Sequence, residues 1–148
     1  MKLISLHIDN FGQFNNFEYE FEDGINQIIE DNGWGKSTLA AFIKVMFFGF
    51  DNSNKRDDYV NEKRRFKPWQ GGLYGGSLTF EIDDKRYTIY RTFEAKDKDD
   101  TFKLVDTITK LDSFDYTSDI GKEIFEIDSD SFEKTAYIFQ NNCESGST

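Results

Sequence analysis

The 148-residue sequence has one cysteine, one histidine and no long apolar run. A single cysteine excludes an internal disulfide framework and fits a reducing compartment. No stretch approaches the ~20 apolar residues that a membrane-spanning helix needs. The opening MKLISLHIDN turns polar too soon to read as a signal peptide. The expectation is therefore a cytoplasmic protein without a membrane partner. Positive charge is also scarce: 18 Lys and Arg stand against 28 Asp and Glu, for a net charge of −10. A chain this acidic is a poor non-specific binder of nucleic acid, because phosphate contacts need Lys and Arg. The deficit is uneven: residues 51–93 carry 9 basic and 7 acidic groups, while residues 94–148 carry 6 and 14. Any contact with DNA is expected through a local patch, such as the basic loop at 55–67, or through a larger assembly. The lone His7 falls on the polar side of its strand and reads as structural. Cys143 has no second Cys or His near it in the sequence, which argues against a metal or nucleophile role.

Aromatic residues are abundant, at 17% of the chain with 16 Phe. A chain of this length buries about 68–70% of its unfolded surface and needs no staples. Residues 2–9 alternate apolar and polar, with Ile4, Leu6 and Ile8 on one side, and predict a half-buried strand. NFGQFNN at 10–16 reads as a turn. Phe17, Tyr19 and Phe21 alternate with glutamates and predict a second strand over 17–22. Ile25, Ile28 and Ile29 mark a third. Residues 36–48 are apolar nearly all round and predict a buried helix, with Gly49 as its stop. A long connection spans 51–76. SLTFEI, DDK and RYTIYRTF then predict a β-hairpin over 78–93. Residues 94–100 read as a charged loop tip and 101–111 as one or two short strands. A short helix is expected at 119–127. Asp130 and Glu133 form a capping-box signature for another. The predicted fold is α/β, one domain over 1–148. Strands, loop and helix fill 1–50, a long loop 51–76, antiparallel strands 77–111, and short helices 112–148.

The join between the third strand and the buried helix reads EDNGWGKST, residues 30–38. Gly33 and Gly35 lack a Cβ, so their backbone can approach a ligand closely. At a helix head, successive N–H groups and the helix dipole favour phosphate. In such a loop the lysine, Lys36, reaches the β and γ phosphates. The next hydroxyl, Ser37, holds magnesium, and Thr38 is placed to bond the α phosphate. The motif G-x-x-x-x-G-K-[ST] asks for glycine where this chain has Glu30. If that position needs a positive φ, Glu costs about 1–2 kcal/mol relative to glycine. The preceding apolar strand and following buried helix are the context that a working loop requires. ATP and Mg²⁺ are the expected ligands.

The stretch ISLHIDNFGQFNNFEYEF through GINQIIEDNGWGKSTLAAFIKVMFFGF resembles the N-terminal ATPase half of the SMC/SbcC class of coiled-coil ATPases. Asn10, Phe11, Gly24, Ile25, Asn26, Asn32, Gly33, Gly35, Lys36, Ser37 and Thr38 carry the match. Bacterial YhaN-like AAA ATPases are similar in NGWGKST and PWQGG. The resemblance implies a P-loop NTPase lobe of the ABC-ATPase-head type, with a mixed sheet, an antiparallel β-region and a buried P-loop helix. It implies nucleotide binding by Asn32, Gly33, Trp34, Gly35, Lys36, Ser37 and Thr38. FEKTAYIFQ resembles the segment ending in the Q-loop glutamine, which implies that Gln140 contacts magnesium and orients the attacking water. The implied partners are the C-terminal half of the head and a second head. The implied setting is DNA double-strand break repair or chromosome maintenance. Two departures stand out: Glu30, and Gly12–Gln13 where many members have a basic residue after Asn-Phe.

Phosphoryl transfer needs a cradle, a metal and a positioned water. The residues here supply the cradle, one metal-side hydroxyl and, in Gln140, one polar positioner. The chain therefore reads as half an ATPase, inactive in hydrolysis by itself, with CESGST as a cut point or linker. Two other readings remain open on the residues: a non-enzymatic interaction module with a decayed loop, and another P-loop enzyme such as a small kinase. Trp34 fits a lid over the nucleotide, a protein contact or a half-exposed position. The loop holding Lys55, Arg56, Lys63, Arg64, Arg65 and Lys67 among Tyr59, Phe66 and Trp69 fits either a solvated face or a nucleic-acid or nucleotide contact.

Overall fold

The computed structural model describes residues 2–21, 36–50, 62–94 and 96–125. Strand β1 (Lys2–Phe11) and strand β2 (Phe14–Glu20) form a hairpin. The turn between them is only Gly12–Gln13, shorter than the expected 10–16. Asn10 stays paired with Asn15 and Phe11 with Phe14. Polar residues here lengthen the strands because the Asn10 side chain is itself satisfied. It accepts from the Asn15 amide and donates to the Leu73 carbonyl at 2.9 Å.

Strands β3 (Gly75–Ile82) and β4 (Lys85–Thr92) form the expected hairpin. Asp83 and Asp84 turn it, at φ of 52° and 66°. Positive φ at both central residues matches the right-handed twist of the flanking strands. Strand β5 (Thr101–Asp106) follows, and a single bridge joins its Val105 to Asp112. So one strand and one bridge occupy the region read as one or two strands. The sheet order is β2-β1-β3-β4-β5. Every pairing in it is antiparallel. The late hairpin is thus continuous with the first one: Leu6 faces Leu78 and Ile8 faces Gly76. The third strand expected at 25–29 lies outside the described residues, as do Asp130 and Glu133.

Helix α1 (Lys36–Phe48) coincides with the predicted span. Leu39, Phe42, Ile43, Val45, Met46 and Phe47 are buried on the inner sheet face, against Leu6, Ile8, Leu78, Phe80 and Ile89. Each such side chain contributes about 1.5–3 kcal/mol on burial. The helix lies close to the sheet at Gly76, where a Cβ would meet the His7 carbonyl oxygen at 2.2 Å and the Phe42 ring at 3.0 Å. Gly49 ends the helix in the left-handed region, φ 72°, and its N–H closes on the Val45 carbonyl at 2.7 Å.

The long connection is not structureless in its second half. A single helical turn, α2 (Glu62–Arg65), precedes β3. Phe66 and Tyr74 join a ring cluster centred on buried Phe11, at centroid distances of 5.0 and 5.8 Å. Phe42 packs edge-on to the same ring at 5.3 Å. Helix α3 (Ile120–Phe125) falls inside the predicted 119–127 and lays Phe125 edge-on against Phe47 at 5.2 Å.

Candidate nucleotide site

Helix α1 opens at Lys36, so Lys36, Ser37 and Thr38 form its first turn. No acidic residue occupies that turn, so among the described residues of the helix itself none offsets the positive end of its dipole. This suits an anion such as the phosphates of Mg-ATP. Thr38 is buried, and its hydroxyl donates to Gln13 Oε1 at 3.2 Å. Gly12 lies against the same residue, its Cβ direction 3.3 Å from Thr38 Cγ2. The β1–β2 turn therefore sits directly on the head of α1. The hydroxyl expected to bond the α phosphate is directed at Gln13 in this state. Asn32, Gly33, Trp34, Gly35, Glu30 and Gln140 lie outside the described residues, as do the side chains of Lys36 and Ser37.

The turn is clasped from the other side by the 66–69 segment. Gly12 N–H donates to the Phe66 carbonyl at 2.7 Å, and Trp69 N–H donates to the Gly12 carbonyl at 3.1 Å. The Asn-Phe pair now has a physical role. Asn10 ties β2 and the Leu73 backbone together, and Phe11 supplies the ring on which Phe66 stacks.

The basic loop is divided by the structure. Lys63 is buried and donates to both Asp100 carboxylate oxygens at 2.8 and 3.0 Å. It is committed to an internal ion pair, which removes it from the expected nucleic-acid or nucleotide contact. The same pair ties the Asp100 end of the charged loop to α2. Arg65 lies 5.2 Å from the Phe66 ring, and Lys67 is exposed. Lys55, Arg56 and Tyr59 lie outside the described residues. His7 bridges Glu18 at 3.1 Å and Asp9 at 3.0 Å on the polar sheet face, in line with a structural role.

One residue that the sequence reading passed over is Arg91. It is buried and faces the far end of α1. Its Nε donates to the Met46 carbonyl at 2.8 Å, and its Nη2 to the Phe47 and Ser118 carbonyls at 3.2 and 2.7 Å. Those helix carbonyls have no intrahelical partner, and a cation there complements the helix dipole. The guanidinium also rests on the Phe102 ring at 4.6 Å. Burial lowers its pKa to about 10, opposed by Asp119 and Asp100. The signal was present in RYTIYRTF: Tyr87, Ile89, Arg91 and Phe93 share one parity, and three of them are core residues.

Comparison with known proteins bears on this arrangement. A family model described as an AAA domain matches residues 5–146. The uncharacterized protein YhaN of Bacillus subtilis (strain 168) is 29% identical over 140 residues, covering 94% of this chain and 13% of that protein. A DNA double-strand break repair Rad50 ATPase of Thermoplasma volcanium is 23% identical over 148 residues, covering 97% of this chain and 16% of its own. One of Archaeoglobus fulgidus is 34% identical over 90 residues, covering 60% and 9%. The chain thus spans less than a fifth of these relatives. With the match running through nearly the whole described sheet and α1, and with these relatives in line with the resemblance to the N-terminal half of SMC/SbcC-like ATPases, the chain belongs to the AAA domain family.

Proposed function

We propose that this chain is the Mg-ATP-binding lobe of an SMC/SbcC-like ATPase. The observation that carries the reading is the placement of the Lys36-Ser37-Thr38 backbone. The lysine opens a 13-residue helix that is buried against a sheet and has no acidic residue in its first turn. Burial of the helix against the sheet holds the backbone N–H groups of its first turn in place, and fixed dipoles of that kind are what electrostatic stabilisation of phosphate uses. In this reading the 32–38 backbone and Lys36 hold the phosphates, and Thr38 exchanges Gln13 for the α phosphate. Ser37 and Gln140 are the metal-side residues, and bound magnesium would neutralise charge on the phosphates. Gln140 also orients water.

Hydrolysis is assigned to the completed site, formed with the C-terminal half of the head and a second head. The relatives named for DNA double-strand break repair support a role in that process. The pairing of Lys63 with Asp100 and a net charge of −10 support DNA contact through the full assembly over contact through the 55–67 loop of this lobe. Titration calorimetry of Mg-ATP into the protein, beside Lys36→Ala, tests the binding step. Heat that disappears in the variant is expected. Equal binding by both would remove the phosphate loop from the site.

A further inference from the structure

Trp69 is held in the open, with 76% of its surface exposed, although its backbone is anchored. Its N–H is bonded to the Gly12 carbonyl, and Phe66, three residues earlier, is both bonded to Gly12 N–H and stacked on Phe11. The segment carrying the indole is thus fixed to the β1–β2 turn. That turn touches α1 through Gly12 and Gln13, both against Thr38. An indole is a large, flat, apolar surface, and fixing one in water forgoes the gain of burying it. Carried on a segment bonded to the turn that touches the first turn of α1, it suits a ligand with a charged end and a planar end. Arg65 and Lys67, exposed on the same segment, favour an anionic ligand.

We propose that Trp69 is the platform on which the base of a nucleoside triphosphate stacks while α1 holds the phosphates. This rests on the nucleotide reading above and assigns recognition of the base to a separate residue. Stacking uses the π face that every base presents, so the platform would grip the base without reading its edges.

The test compares Mg-ATP with Mg-tripolyphosphate, which has the charged end and no base. Both are titrated calorimetrically into the unaltered protein, Trp69→Ala and Trp69→Phe. Trp69→Ala should weaken ATP about tenfold, at the scale of a lost base–aromatic stack, and leave tripolyphosphate unchanged. Trp69→Phe should recover most of the ATP affinity. Equal loss of both ligands would mean that Trp69 only supports the fold, and an unchanged ATP affinity would mean that the base lies elsewhere. Either outcome overturns the platform and leaves the phosphate site standing. If the unaltered protein bound neither ligand, the nucleotide reading would fall, and the platform with it.

Discussion

Position 91 puts a cation where the strand pattern asks for a core residue. Its guanidinium forks across carbonyls of α1 and the Ser118 carbonyl, so it closes three acceptors at once. Arg91→Met would keep the bulk and leave the Met46 and Phe47 carbonyls buried without their donor. Each orphaned group costs roughly 1–3 kcal/mol, so a loss of about 3 kcal/mol or more is expected. A urea titration measures it. Arg91→Lys should recover little, because a point ammonium cannot reproduce the planar fork. A Lys variant as stable as the parent would show that the charge alone matters.

At the scale of elements, the decisive contact is α1 on the sheet at β3 and β4. Gly76 allows it, since a Cβ there has backbone on one side and the Phe42 ring on the other. Gly76→Ala must push β1 from β3 or lift the helix. Overpacking of this kind costs about 1–3 kcal/mol, and the backbone clash places this case at the upper end. A shift of the urea midpoint at unchanged slope is the expected result; no shift would mean that the strands part at little cost. The elements themselves were largely readable. The run 36–48, apolar nearly all round, read as a buried helix, and alternation marked the strands of both hairpins. What escaped was tertiary in origin. Asn10 and Asn15 look like turn residues until their side chains pair with each other. Lys63 looks like a surface cation until Asp100, 37 positions away, meets it. The continuity of the two hairpins is likewise invisible to local pattern. For the candidate site, the GKST turn was legible, whereas the Gln13–Thr38 bond and the clasp of Phe66 and Trp69 on Gly12 needed long-range contacts.

For the whole molecule, stability is expected to be bounded by pH on both sides through one brace. Tyr87 Oη donates to Asp115 at 2.6 Å, and Lys85 lies 3.3 Å from the same carboxylate. Burial, then the Asp115 hydrogen bond, raises the Tyr87 pKa above its ordinary 10.0. The neutral phenol is therefore favoured by folding; that stability is complete below pH ~10 and is lost as pH rises beyond it. The bonds from Tyr87 and Lys85 lower the Asp115 pKa below 3.8. That contribution is present above this value and is lost as the solution becomes more acid. Tyr87→Phe removes the hydroxyl and keeps the ring. Its melting temperature should be lower near neutral pH, by the equivalent of about 1 kcal/mol. It should also fall less steeply than the parent's at both extremes. Parallel curves for the two proteins would show that the brace does not set the limits.

The interior position of β1 has a consequence for how the chain comes together. β1 is the strand that the two hairpins must share: β2 follows it closely and pairs with it at once, but its other edge waits for β3, with Leu6 meeting Leu78. During synthesis the N-terminal hairpin therefore leaves the ribosome with one row of backbone N–H and C=O groups unpaired and Phe11 still lacking Phe66 and Tyr74. An edge in that condition is a template for another chain. The interval before β3 emerges is when nascent copies of this protein are most exposed to pairing with one another, and slower translation across 51–74 would lengthen it.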